Sequence, residues 1–266
     1  MASPPPALTF PEPWELPPEQ YTWLRQARTE YMAAALTSQM LHWLVMLGVS
    51  PDTLARGARL VADEVRHSTQ SYELYRVAGG EERAVAAPPT MLMHADDPDA
   101  DIVWRAVTAV GELAVEESVA LPVFALRVRN ATHPRVREVV EGIHRDEAFH
   151  RAFAWDVLDE LTEALGVVAV RAWVEPRIAW WVRIYLLAEM TDDEPVYDER
   201  QLGLGLIDRR EHWAAMRACV AEVVLPRFHK RGLVDPARTA DAIEAELRAA
   251  GAALRPPWER RSVAGG

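Results

Sequence analysis

The sequence predicts an all-α protein: a four-helix bundle with a long crossover and additional C-terminal helices. Three observations carry that expectation. Ala, Leu, Arg, Glu and Val dominate the 266 residues while glycine, at 13, is sparse, which favours helix over strand. Apolar residues recur at three- and four-residue steps, as in Val103, Val107, Val110, Ala114, Leu121 and Phe124. Two Glu-x-x-His pairs, Glu64-Val65-Arg66-His67 and Glu147-Ala148-Phe149-His150, fall at matching places in two helical hairpins.

In chain order, residues 1–17 hold six prolines and read as an extended arm lying on the surface or on a partner subunit. The bundle is expected over 18–165. Its first helix runs from Pro18 to Leu47, and Gly48-Val49-Ser50-Pro51 reverses the chain with Ser50 or Asp52 as cap. The second helix runs to Val77 and stops at Gly79-Gly80. Residues 80–98, with Pro88-Pro89 and Asp96-Asp97-Pro98, form the crossover that an up-down-down-up bundle requires. The third helix spans Asp99 to Arg129, with a kink expected at Pro122. Asn130 to Pro134 turns the chain, and the fourth helix ends at Leu165-Gly166. A helical extension, 166–250, is expected to cover the bundle with helices at 168–189, 208–229 and 236–250, followed by a tail at 251–266. The fifth helix concentrates Trp173, Trp180 and Trp181, read here as core residues.

Composition narrows the function classes. A net charge of −11 argues against non-specific nucleic-acid binding. The lone cysteine, Cys219, excludes an internal disulfide and fits a reducing compartment. The N-terminus carries no secretory pattern, and the most apolar segment, Ile178 to Ala188, is about half a membrane span. A soluble, cytoplasmic protein is the expectation, without membrane or nucleic-acid partners.

Residues three apart on a helix share a face. A carboxylate beside an imidazole on a buried face is costly unless something binds both. Two such pairs, each preceded by a lone Glu one helix earlier, make the ligand set of a carboxylate-bridged di-metal site. Residues facing each other across an antiparallel hairpin lie about equally far from its turn. Glu30 satisfies that condition with Glu64, their midpoint being 47, at the Gly48 turn. In the second hairpin the turn does not separate Glu112, Glu116 and Glu117. The apolar stripe does: Glu117 falls within it and Glu116 on its flank, so Glu117 is the first candidate and Glu116 the second. The metal set is thus Glu30, Glu64, His67, Glu117, Glu147 and His150. Four carboxylates and two imidazoles suit two iron ions, with manganese or a mixed pair as alternatives, better than zinc. Asp63 and Asp146 immediately precede the two ligand glutamates. Crosswise hydrogen bonds are expected from the histidines, His150 to Asp63 and His67 to Asp146.

These motifs resemble the ferritin-like di-iron carboxylate superfamily. The similarity is closest to bacterial ferritin-like oxygenase or oxidase proteins of unassigned substrate, related to arylamine N-oxygenases. It rests on Glu30 through Leu47-Gly48 to Asp63-Glu64-Val65-Arg66-His67, and on Glu117-Ser118-Val119, His133-Pro134 and Asp146-Glu147-Ala148-Phe149-His150. It covers residues 18–165, with a weaker echo at Val223-Val224-Leu225-Pro226-Arg227-Phe228. The arylamine N-oxygenases imply a third histidine ligand where this chain has Ile143. His144, three residues before Glu147, is the candidate to reach a metal, to hydrogen-bond a bound peroxide or to cap the site.

The resemblance implies a non-haem di-iron enzyme that uses O2 to oxidise a small organic or carrier-tethered substrate, in a natural-product pathway. It implies an electron-donor protein and a homodimer as partners. Two other readings share the ligands: a ferroxidase or iron-storage subunit, and a non-catalytic bundle that keeps metal for stability alone.

Overall fold

The computed structural model describes residues 15–83, 101–188 and 196–249. Among them the chain is all-α, with no strand. Four long helices form the bundle: α1 (Pro18–Leu47), α2 (Pro51–Val77), α3 (Ile102–Asn130) and α4 (Pro134–Leu165). Local chemistry sets their ends. Gly48 adopts φ 73°, a left-handed conformation open to glycine, and its N–H donates to the Val45 carbonyl. Ser50 Oγ then accepts from the Thr53 N–H at 3.1 Å and starts α2 one turn later. Asp101 caps α3 by accepting from Val103 N. That helix continues unbroken through Pro122. The N-terminal arm up to residue 14, most of the 80–98 connection and the tail lie outside the described residues.

The buried apolar residues fall into two groups separated along the bundle axis. One holds Met40, Leu44, Leu60, Val107, Val110 and Phe153. The other holds Trp23, Leu24, Leu74, Phe124, Val140 and Ile143. On α1 and α4 the first group takes the later residues, and on α2 and α3 the earlier ones. The helices therefore run up, down, down and up. α2 ends in the second layer and α3 begins in the first. Between the two apolar layers lies a belt of buried polar residues that includes Glu30, Glu64, His67, Glu117, Glu147 and His150.

The C-terminal part packs against α3. It comprises α5 (Val167–Ala188), α6 (Glu199–Gly203), α7 (Arg209–Cys219), a π-helical turn (Val220–Val224), α8 (Leu225–Lys230) and α9 (Pro236–Ala249). Gly111 is where α5 approaches most closely: a Cβ there would stand 2.8 Å from Trp181 Cη2, so the glycine admits the indole. Trp181 is fully buried, but Trp180 is 47% exposed, which corrects its reading as core. Neighbouring positions on a helix point about a quarter-turn apart, so one apolar face cannot bury both. Two further corrections concern helices. Residues 190–207, between the helices expected at 168–189 and 208–229, contain a further helix, α6, opened by a capping box between Asp198 and Gln201. Residues 208–229 are not one α-helix but two joined by the π turn, because Pro226 has no N–H to continue the ladder. Just beyond α6, the Leu204 carbonyl accepts from Trp23 Nε1 at 2.9 Å and closes the second apolar layer. Among the described residues no helix is long and apolar enough to cross a membrane.

Candidate metal centre

Each bundle helix delivers its polar residues to the belt by spacing alone. Glu64 and His67 sit one turn apart on α2, and Glu147 and His150 on α4. Opposite register in the two hairpins brings the pairs face to face. These four residues are buried, and each offers a ligand atom within 4.8 Å of the others'. The imidazole rings lie 5.5 Å apart, centroid to centroid.

Both histidines present Nδ1 to the centre and Nε2 to an aspartate. His67 Nε2 lies 3.2 Å from Asp146 Oδ2, and His150 Nε2 lies 3.4 Å from Asp63 Oδ2. The pairing is crosswise between α2 and α4, as expected from the matched placement of the aspartates. On the inner side, His150 Nδ1 stands 3.0 Å from Glu64 Oε1 and 3.7 Å from both Glu117 Oε2 and Glu147 Oε2. His67 Nδ1 stands 3.7 Å from Glu147 Oε1 and 3.9 Å from Glu64 Oε2.

Glu117 therefore reaches the cluster from α3, and Glu30 reaches it from α1. Glu30 Oε1 accepts from Gln26 Nε2 at 2.6 Å, and its carboxyl lies close enough to Glu64, Glu147 and His67 for their charges to act on one another. Both glutamates are about as buried as the central four, at 5% and 4% exposed. All six side chains expected from sequence thus converge on one level of the bundle. His144 does not join them: it is half-buried and shares no hydrogen bond or ion pair with the six among the described residues.

The electrostatics follow from packing carboxyls together out of water. Burial pushes Glu64 well above the usual carboxylate range, and the charges of Glu30, Glu147 and Glu117 add to the shift despite His150. Glu117 is also held well up, by burial and by Glu147. Glu30 is raised by burial, partly offset by His67. Burial also opposes the charge on Glu147, but His150 and Glu117 outweigh it and bring Glu147 below the usual range. For His150, burial disfavours the imidazolium, yet the facing carboxylates of Glu117, Glu147 and Glu64 dominate and raise its pKa strongly.

Whether this donor set fits a metal is decided by its unpaired atoms. Glu64 Oε2, His67 Nδ1 and His150 Nδ1 are buried without a hydrogen-bond partner. All three face the same centre. Polar atoms left so are expensive to bury, and a cation that displaced any proton there would engage them. The residues fit a metal ion. Glu64, His67, Glu147 and His150 would hold it, with Glu30 and Glu117 beside them.

Sequence reasoning missed the residues that hold the aspartates. Arg66 Nη2 lies 2.7 Å from Asp63 Oδ1 and 2.8 Å from Asp146 Oδ2, fastening one to the other. Arg59 adds a longer contact to Asp63 at 3.4 Å and stands 4.0 Å over the Phe149 ring. The signal was present, since Arg59 and Arg66 flank Asp63 at four and three residues on the same helix. A second polar group was read only as alternative ligands to Glu117. Glu112 and Glu116 stand one turn apart on α3, close enough to Tyr185 of α5 for their charges to act on its hydroxyl. Burial raises Glu116 to about 8, with Glu112 contributing.

Burial likewise pushes Glu112 up to about 7 against the pull of Arg177. A carboxyl raised in the folded state binds protons more tightly there, so stability falls as pH rises from the unfolded value, 4.5, through about 7. Glu112→Gln removes that slope. In urea melts the variant should match wild type near the acid end of the window and exceed it by about 1–2 kcal/mol above it, after discounting for partial exposure.

Fold and site together define an all-α helical bundle with a buried carboxylate–histidine group able to hold a metal ion. No family model, no curated protein and no solved structure matches the chain.

Proposed function

We propose that this protein is a ferritin-like, non-haem di-iron oxygenase or oxidase that uses O2 to oxidise a small organic substrate. The observation that carries the reading is the cluster's unpaired inner surface: Glu64 Oε2, His67 Nδ1 and His150 Nδ1, buried and facing one point, with both Nε2 atoms turned to aspartates. Glu30, Glu64, Glu117 and Glu147 supply hard oxygen donors suited to iron or manganese. Bound iron would supply the electrons that reduce O2, and a partner protein would return them. Asp63 and Asp146 fix the ring orientation and tautomer of the histidines. The two apolar layers above and below keep bulk water from the belt.

A ferroxidase would share all six residues. The helices packed over α3 favour an organic substrate, because they set Tyr185 over the half-buried Glu112 and Glu116 on α3, a covering that mineralisation has no need of. The test is anaerobic loading with Fe(II) followed by mixing with O2. Two irons per chain, a low oligomer by size exclusion and O2 consumption limited to the bound iron are expected. A large shell holding many irons per chain would establish the storage reading instead. Two irons with no reaction toward O2 would leave the bundle non-catalytic.

A further inference from the structure

The hydrogen-bond ladder of α3 lacks a rung beside the cluster. In an α-helix each carbonyl accepts from the N–H four residues further on. Pro122 has no N–H, so the Ser118 carbonyl is left without its helical donor although α3 continues past it. Ser118 is fully buried, where an unpaired carbonyl is costly. The donor comes from outside the bundle: Cys219 Sγ, at the end of α7, lies 3.1 Å from Ser118 O. Burial pushes the thiol up to about 11, so it stays protonated and can donate. The Ser118 side chain is held too. Its Oγ donates to the Ala114 carbonyl at 2.7 Å and accepts from Trp155 Nε1 of α4 at 3.1 Å. Trp155 in turn meets Phe228 of α8 edge to face, with ring centroids 4.7 Å apart.

The missing rung falls one residue after Glu117, whose Oε2 stands 3.7 Å from His150 Nδ1. A helix bends most easily where its ladder is open, and a bend here would swing the Glu117 carboxylate against α4. We propose that Cys219 is a positioning residue: its thiol closes the gap that Pro122 opens in α3 and so holds Glu117 in register with the metal centre. The inference rests on the di-metal reading above. It gives the lone cysteine a task and makes the C-terminal helices part of what supports the site.

Two measurements test the two halves of the inference. The first needs no metal. Cys219 is the chain's one cysteine, so the infrared S–H stretching band belongs to it alone. In wild type that band should lie below the position of a free alkyl thiol in an apolar solvent, as a donor's does. The second is titration with cobalt chloride, followed by visible absorption. Wild type should take two cobalt ions per chain. Cys219→Ala should bind about tenfold more weakly and with altered bands, the size of effect that supporting groups around a metal site usually have. Cys219→Ser keeps a donor and should stay nearer wild type. Pro122→Ala returns an N–H to the ladder, so adding Cys219→Ala to it should change neither affinity nor spectrum. In a Glu117→Gln background the same alanine should leave the remaining affinity as it is.

An S–H band at the free-thiol position overturns the inference, and so does a Cys219→Ala protein that binds cobalt as wild type does. Both results leave the metal reading intact. An equal loss with and without Pro122 also overturns it and marks Cys219 as a packing residue. Wild type that binds no cobalt overturns the metal reading itself and this inference with it.

Discussion

Saturating the protein with Mn(II) or Fe(II) should raise its melting temperature by roughly 10 °C or more, and Glu64→Gln should reverse its effect on stability according to whether metal is bound. Each ion held at about a hundred times its dissociation constant contributes about 2.7 kcal/mol, and a chain of this size gains about 2–4 °C per kcal/mol. Without metal, Glu64 is a burden. It is 2% exposed, and burial together with three neighbouring carboxyls holds its pKa far up. Gln keeps the shape and removes the ionisable group, so the metal-free variant should melt higher than wild type near neutral pH. With metal present the order inverts, because an anionic ligand has been lost from the most buried part of the cluster. Calorimetry of both proteins with metal and with chelator reads the two signs at once. A variant that shifts the same way in both states would show that the cluster is an ordinary polar core.

Asp63→Ala should weaken metal binding by about 10–100-fold although Asp63 faces away from the centre. Its Oδ2 lies 3.4 Å from His150 Nε2, and Arg66 grips its Oδ1 at 2.7 Å. Without it the His150 ring loses the partner that fixes its orientation, and Arg66 turns wholly to Asp146. Asp146→Ala should act in the same direction on His67, more weakly, since its side chain is 21% exposed against 6% for Asp63 and water can replace it. Titration calorimetry with Mn(II) measures both. Asp63 also ties the site to pH. Burial opposes its charge, but Arg66 prevails and holds its pKa below the usual value of 3.8. The stabilisation is therefore present above that value and is lost as pH falls through the lower, folded one. Asp63→Ala should flatten the acid limb of stability. Equal metal affinity in wild type and Asp63→Ala would detach the aspartates from the site.

Much of the site was legible because its geometry is local. Two Glu-x-x-His pairs need only helix periodicity to align, and the turns at Gly48 and Gly166 lie where glycine spacing puts them, at φ 73° and 84°. Equal distance from a turn placed Glu30 opposite Glu64 without any knowledge of packing. The apolar stripe separated Glu117 from Glu116 because 100° of rotation distinguishes neighbours on a helix. The crosswise aspartates followed from the likeness of the two hairpins.

The sequence by itself determined the four bundle helices, their ends and the level at which the six side chains meet. These depend on capping, periodicity and hairpin length, all of which act within one or two adjacent elements. Only the tertiary structure decided what surrounds that level. It set Arg66 between the two aspartates and left His144 aside. It exposed Trp180 while burying Trp181 at Gly111, and it brought Tyr185 to Glu116 from 69 residues away. Those contacts depend on which face of α5 meets α3 and how closely. Packing of distant surfaces settles that, and local periodicity does not encode it.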